Sequence, residues 1–460
     1  MSSKRVKQDM GRGSVPRLIL QLAIPAVVAQ LINMLYNIVD RIYIGHIPDA
    51  GASALTGVGL FLPILMMINA FAMLAGSGGA PRAAIAMGKN DREGAQKILG
   101  NCFCVLMIFA AVLTIGFYVF APQLLRLFGA SDVTLPYALA YARIYILGIV
   151  FVMVVMGLNP FITTQGFAKF SMITTVMGAV CNIILDPILI FVLDMGVQGA
   201  AAATVISQAV SAVWVMVFLR GKKTLLRLTV PNMKLEPSVI LPCLGLGIST
   251  FVMLSTESIL NISFNSSLSK FGGDLAVGAM TIISSCNQLI SLPLQGICQG
   301  GQPIMSYNFG AGNKKRVKQA FYCQFAACTG YAAVMWILLM LVPQAFARIF
   351  NSDATLVDYT VWAMRIYMAG IFSTGIQTSC QQTFVALGQA KISLLMACLR
   401  KLVLLIPLIF LLPFVFTDPV FGVFVAEPVS DIIAASVTGF MLFSRLNRIL
   451  DQGAGAACSG

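Results

Sequence analysis

The chain has 460 residues, of which 58% are hydrophobic and only 10% charged, and its mean hydropathy is +0.88. Soluble domains carry about 25% charged residues, so these figures exclude an ordinary soluble domain and indicate an integral membrane protein. The net charge of +13 does not form a basic stripe with interleaved aromatics, which argues against a nucleic-acid partner; Lys and Arg instead sit in short clusters between apolar segments.

Apolar runs of about 20 residues predict an all-α protein with twelve transmembrane helices, near 18–44, 54–78, 97–120, 137–158, 166–192, 197–219, 239–266, 275–299, 319–342, 360–384, 390–414 and 420–444. In the first, Gln30, Asn33, Asn37 and Asp40 are spaced 3, 4 and 3 residues apart, which puts them on one helical face, flanked by Tyr36 and Tyr43. The fifth carries Asn182 and Asp186 at i and i+4, with Pro187 directly after. The sixth opens with small residues from Gly199 to Ala203, which allow close helix contact, and then presents the hydroxyl of Thr204. Residues 220–237 are basic, contain Pro231 and Pro237, and read as a cytoplasmic connection. The seventh span carries Glu257 and Asn261 at i and i+4, and the last carries Glu427 and Asp431.

Segments holding Arg82, Lys169, Arg220, Lys314 and Lys391 alternate with segments rich in aspartate, such as those of Asp49, Asp132 and Asp353. The basic set lies on the side of the N-terminal Lys4, Arg5 and Lys7, so both termini are expected in the cytoplasm. No cleavable signal peptide is expected. The eleven cysteines show no metal-ligand spacing and read as small core residues. His46 falls in an outer loop rather than on a proton path, and Arg143 and Arg365 fall near the outer membrane edge, where snorkelling explains them.

The chain repeats itself. Residues 143–149 (RIYILGI) return as residues 365–371 (RIYMAGI), 222 positions later, and the same offset carries Pro81 to Pro303, Gly88 to Gly310 and Gly166 to Gly388. Duplicated halves in so apolar a chain mark a transporter built from two bundles around a cleft, working by alternating access. The expected divisions are a cytoplasmic segment 1–17, a six-helix bundle 18–219, a linker 220–237, a second bundle 238–448 and a flexible tail 449–460. The symmetry fails at the acids: at an offset of 224 Asp40 falls on Phe264, and at 222 Asp186 falls on Leu408. The first bundle therefore holds two intramembrane aspartates that the second lacks.

A carboxylate at the bilayer centre costs at least about 2.5 kcal/mol on insertion scales, and persists where it faces a cavity, binds a cation or carries a proton. Asp40 and Asp186, with Asn182 and Thr204 beside them, suit either a Na⁺ or a shared proton. The alternative is that they only glue helices together by hydrogen bonds. Gln30, Asn33, Tyr36, Asn37, Glu257 and Asn261 are candidates for a substrate cleft. The 24 methionines and 30 phenylalanines are mostly packing, yet those in a cleft would suit variable apolar cations.

The stretches LAIPAVVAQLINMLYNIVDRIYIGH from residue 22, AVCNIILDPILIF from 179 and GVQGAAAATVISQ from 196, in that order on a duplicated twelve-span frame, resemble the multidrug and toxic compound extrusion (MATE) family, in particular its bacterial MepA-like branch. The resemblance runs from about Leu18 to Arg448. It implies two six-helix bundles arranged as a V, in the bacterial inner membrane, exporting amphipathic and often cationic drug-like compounds in exchange for H⁺ or Na⁺. The family's cation cluster maps onto Asp40, Asn182, Asp186 and Thr204, and its polar residue ending the fourth span maps onto Asn159, which is also a candidate for the substrate cleft. The NorM-like branch pairs a seventh-span glutamate, matched by Glu257, with a tenth-span aspartate. Here the tenth span offers Gln377, Gln381 and Gln382 instead, so a second Na⁺ site is not expected, and Gln381 joins the cleft candidates.

Membrane lipid and small drug-like molecules are the expected partners, the chain is expected to act as a monomer, and no cofactor beyond the coupling ion is expected. The alternative cargo is a lipid-linked oligosaccharide or another lipid. A flippase would line its cleft with arginine for phosphate, and the candidates for that are Arg41, Arg400 and Lys401. No HExxH, GxSxG or carboxylate–histidine constellation supports an enzyme.

Overall fold

A computed structural model describes residues 10–48, 51–350 and 353–458. The expectations for Lys4, Arg5, Lys7 and Asp49 lie outside the described residues. Every regular element among the described residues is helical, as lipid demands of a chain that must satisfy its backbone polar groups internally.

Nine of these helices are long and apolar enough to cross a membrane, and Leu135–Leu147 with Ile149–Thr164, bent by 57°, make a tenth crossing. The helix Pro237–Gly310 spans 74 residues and breaks at Gly273, whose φ is 64°. At 1.5 Å per residue it is several times longer than a hydrocarbon core of about 30 Å, so it makes two crossings. Ala354–Tyr367 and Ile371–Ala386, joined by the 3₁₀ turn Met368–Gly370, supply the twelfth. The last helix, Pro419–Cys458, continues through most of the segment expected to be a flexible tail.

The duplication reappears in the helix ends. Gly166 and Gly388, 222 positions apart, both take positive φ (88° and 70°), as do Asn90 and Gly312 (64° and 71°). Asp91 caps the third span by accepting from the backbone N–H of Gly94, and Asn313 does the same for Arg316 at the start of the ninth. A left-handed residue followed by an Asx cap is one turn device used twice.

The chain forms two compact units, Val28–Leu254 and Met1–Val27 with Ser255–Gly460. Each unit therefore takes the leading stretch of a span from the other sequence repeat. In the first unit, Gly247 of the seventh span packs against the Leu74 carbonyl, and Gly78 against the backbone of Cys243 and Gly247. In the second, Gly300 packs on the backbone of Ala23 and Gly296 on that of Val27. These contacts correspond by repeat: Ala23 matches Gly247, and Leu74 and Gly78 match Gly296 and Gly300. Arg316 holds the leading stretch in the second unit, donating to the carbonyl of Gly13 at 2.8 Å and of Met10 at 3.1 Å.

The first unit is cored by Phe61, Ile68, Leu106 and Phe161, the second by Phe264, Ile283, Met364 and Phe424. Phe264, the repeat partner of Asp40, is thus a core residue packed edge-on to Tyr367.

Candidate cation and substrate sites

In the first unit the helix Ala168–Pro187 carries Asn182 and Asp186 one turn apart, and the neighbouring helix Gly196–Arg220 reaches them through its run of alanines. Asn182 Nδ2 donates to Asp186 Oδ1 at 3.2 Å and lies 3.4 Å from Thr204 Oγ1. The Thr204 hydroxyl donates to the Ala200 carbonyl at 3.0 Å. Asp40, from the first span, comes within hydrogen-bonding reach of Asp186. All four expected coupling residues thus converge, and Asp186 is fully buried.

Three oxygens of this cluster, Asp40 Oδ1, Asp186 Oδ2 and Asn182 Oδ1, are buried with no hydrogen-bond partner. Orphaned buried oxygens call for an explanation, and a hard monovalent cation or a proton supplies one, since carboxylate and carbonyl oxygens suit such ions. Among the described residues no three His, Cys, Asp or Glu side chains gather as a transition-metal site would require.

Two residues that sequence reasoning overlooked complete the cluster. Tyr141 and Tyr145, one turn apart on the fourth span, stack with centroids 5.8 Å apart, and Phe61 meets both edge-on. Tyr141 and Tyr145 both lie within electrostatic reach of Asp40. Tyr36, one turn before Asp40, lies within its electrostatic reach. A tyrosine pair at i, i+4 within a membrane span was the available signal.

The remaining first-span candidates use their polarity locally. Asn37 Nδ2 donates to the Asn33 carbonyl at 2.6 Å, and Gln30 and Asn33 are half-buried. His46 likewise bonds through Nδ1 to the Ile42 carbonyl at 2.7 Å.

Asn159 and Gln381 do not join either charged cluster. Asn159 Nδ2 donates to the Ser171 carbonyl at 3.3 Å, and Gln381 Nε2 to the Ser393 carbonyl at 2.8 Å. Both tie a span to its successor, and Gln381 is buried at 2% exposure rather than open to a cleft.

In the second unit, Glu257 meets Lys401, whose Nζ donates to Glu257 Oε2. The adjacent Arg400 bonds to Asp431 at 2.7 Å and lies 3.5 Å from Glu427. Successive residues on an α-helix point about 100° apart; Arg400 and Lys401 sit in a π-helical stretch, Leu399–Leu405, whose wider turn brings both into one cluster. Asn261, one turn beyond Glu257, is exposed. The sequence showed the seventh-span Glu257 and the last-span Glu427 and Asp431 separately, but not that two eleventh-span cations join them.

A family model described as MatE matches residues 25–188 and 249–411, one block in each repeat. The chain is 25% identical over 438 residues to the multidrug export protein MepA of Staphylococcus haemolyticus (strain JCSC1435), covering 95% of each chain. It is 24% identical over 442 residues to the MepA of Staphylococcus aureus (strain N315), covering 95% of this chain and 96% of that one. Among solved structures, a MATE protein in the bent conformation superposes with a TM-score of 0.91 at 24% identity, covering 99% of this chain and all of the other. An outward-facing multidrug resistance MATE transporter of the MOP superfamily superposes at 0.89 and 23% identity, covering 97% of this chain and 99% of that one. The structural likeness establishes the fold, and the two matched blocks, which together cover well over half of the sequence, establish that the chain belongs to the MatE family.

Proposed function

We propose that this protein is a multidrug efflux antiporter that expels amphipathic, often cationic compounds in exchange for H⁺ or Na⁺. The carrying observation is the buried cluster of Asp40, Asn182, Asp186 and Thr204, which presents three unpartnered oxygens within one bundle. Two carboxylates without a cation create a site that is unstable when empty and charged, which is what couples ion binding to a conformational change. One elementary charge moved across 100 mV supplies about 2.3 kcal/mol, enough to bias a two-state equilibrium. The names of the Staphylococcus relatives, which are multidrug export proteins, support the class of cargo. The alternation of basic and acidic segments supports a place in the bacterial inner membrane with both termini in the cytoplasm.

A lipid-linked phosphate cargo is disfavoured by the pairing of Arg400 with Asp431 and of Lys401 with Glu257, because cations already held by carboxylates are poor phosphate receptors. In proteoliposomes, an imposed outward H⁺ or Na⁺ gradient should drive uptake of a fluorescent organic cation in exchange, and Asp40→Asn should abolish it. Indifference to both gradients rejects antiport.

A further inference from the structure

The charged cluster of the second unit does not balance. Arg400 and Lys401 face three acidic side chains, Glu257, Glu427 and Asp431, so one acid has no cation of its own. The excess has an address: Glu427 is 7% exposed, touches Arg400 through one oxygen only, and its Oε2 is buried with no hydrogen-bond partner. The exposure is uneven too. The Glu257 side chain is 50% exposed, whereas those of Lys401, Glu427 and Asp431 are 10%, 9% and 5% exposed. Lys401 also lies within electrostatic reach of Glu427 and Asp431.

We infer that Glu257 is a subsite for one organic monocation, and that Lys401 is a tethered counter-ion which the cargo displaces from Glu257 toward the vacant oxygen of Glu427. The inference rests on the export reading above and deepens it by naming a cargo contact and its charge. In the cargo-free state Lys401 neutralises the accessible carboxylate, so Glu257 is never left bare. When a monocation arrives, three positive charges meet three carboxylates, and the Lys401 ammonium gains an acceptor that was waiting unpaired. Displacement therefore exchanges one ion pair for two, within a low-dielectric site where such pairs count. Arg400, held by two acids at once, stays in place and keeps Asp431 out of the exchange.

The test is equilibrium binding of tetraphenylphosphonium, whose charge does not titrate, to the purified full-length protein without an ion gradient. Lys401→Met removes the internal competitor and should tighten binding about tenfold, the scale of one charged hydrogen bond. Lys401→Arg should bind like the wild type. Glu257→Gln should weaken binding by a similar factor, and in the double variant the gain from Lys401→Met should vanish; a gain that survives Glu257→Gln reflects a long-range charge effect and overturns the subsite. Lys401→Gln replaces Lys401→Met if the latter does not fold. Wild-type binding unaffected by any of these substitutions overturns the subsite alone. A wild-type protein that does not bind the cation overturns the export reading together with it.

Discussion

Asn159 and Gln381, 222 positions apart, make the same bond: each donates its side-chain amide to the carbonyl of the serine twelve residues on, Ser171 and Ser393. In both the amide oxygen is buried without a partner. A bond kept in both repeats, where Asp40 and Asp186 are kept in only one, points to the frame rather than to the chemistry. Each fixes the turn between a bent span and its successor, next to the left-handed Gly166 or Gly388.

Asn159→Ala and Gln381→Ala should each cost about 1 kcal/mol, the net worth of one hydrogen bond, and should lower the thermal midpoint in detergent by similar amounts. Efflux per folded molecule should be retained. Loss of efflux at an unchanged midpoint would return Asn159 to the cargo path.

The frame was legible in the sequence because span length, the 222 offset and the basic clusters are each carried by many residues. The convergence of the first unit's polar cluster was legible because Asn182 and Asp186 lie one helical turn apart, and because Asp40 and Asp186 lack acidic repeat partners. The second unit's cluster was not, because it joins residues 31 and 144 positions apart and depends on a π-helical stretch that no spacing rule anticipates. The exchange of leading stretches was hidden as well, since Ala23 and Gly247 look like ordinary small residues until their neighbours are known.

Thr204→Val keeps side-chain volume but deletes the hydroxyl that meets Asn182 and Ala200. Ion-driven efflux should fall about tenfold, as expected for a lost hydrogen bond in a charged site, while Asp186→Asn should abolish it. Dye efflux from energised vesicles reads both. A Thr204→Val protein with wild-type efflux would remove the hydroxyl from the cluster's chemistry.

Arg400 is the positive centre for Asp431 and Glu427, and removing it strands buried carboxylates. Arg400→Met should destabilise the protein by about 3–5 kcal/mol, the cost of breaking a buried ion pair from one side. Arg400→Met with Asp431→Leu should recover part of that loss, because the closest carboxylate goes too. Thermal unfolding in detergent compares them; equal stability of Arg400→Met and the wild type would mean that the acids are not held by this cation.

The exchanged stretches make a paired prediction. A Cβ on Gly247 would overlap the Leu74 carbonyl, and a Cβ on Gly300 would come within 2.5 Å of the Ala23 backbone nitrogen. Backbone atoms cannot rotate away as a side chain can, so each substitution must push two helices apart. Gly247→Ala and Gly300→Ala should each cost about 1–3 kcal/mol, the usual range for overpacking. Gly116, within Arg92–Leu127, has no atom within 4 Å of its would-be Cβ. Gly116→Ala should therefore be neutral or stabilise by up to about 1 kcal/mol, since alanine is the better helix former. The three thermal midpoints, measured side by side, separate steric contact from helix propensity. If Gly247→Ala and Gly300→Ala track Gly116→Ala, the two leading stretches are not packed against these neighbours and the repeat-matched contact fails.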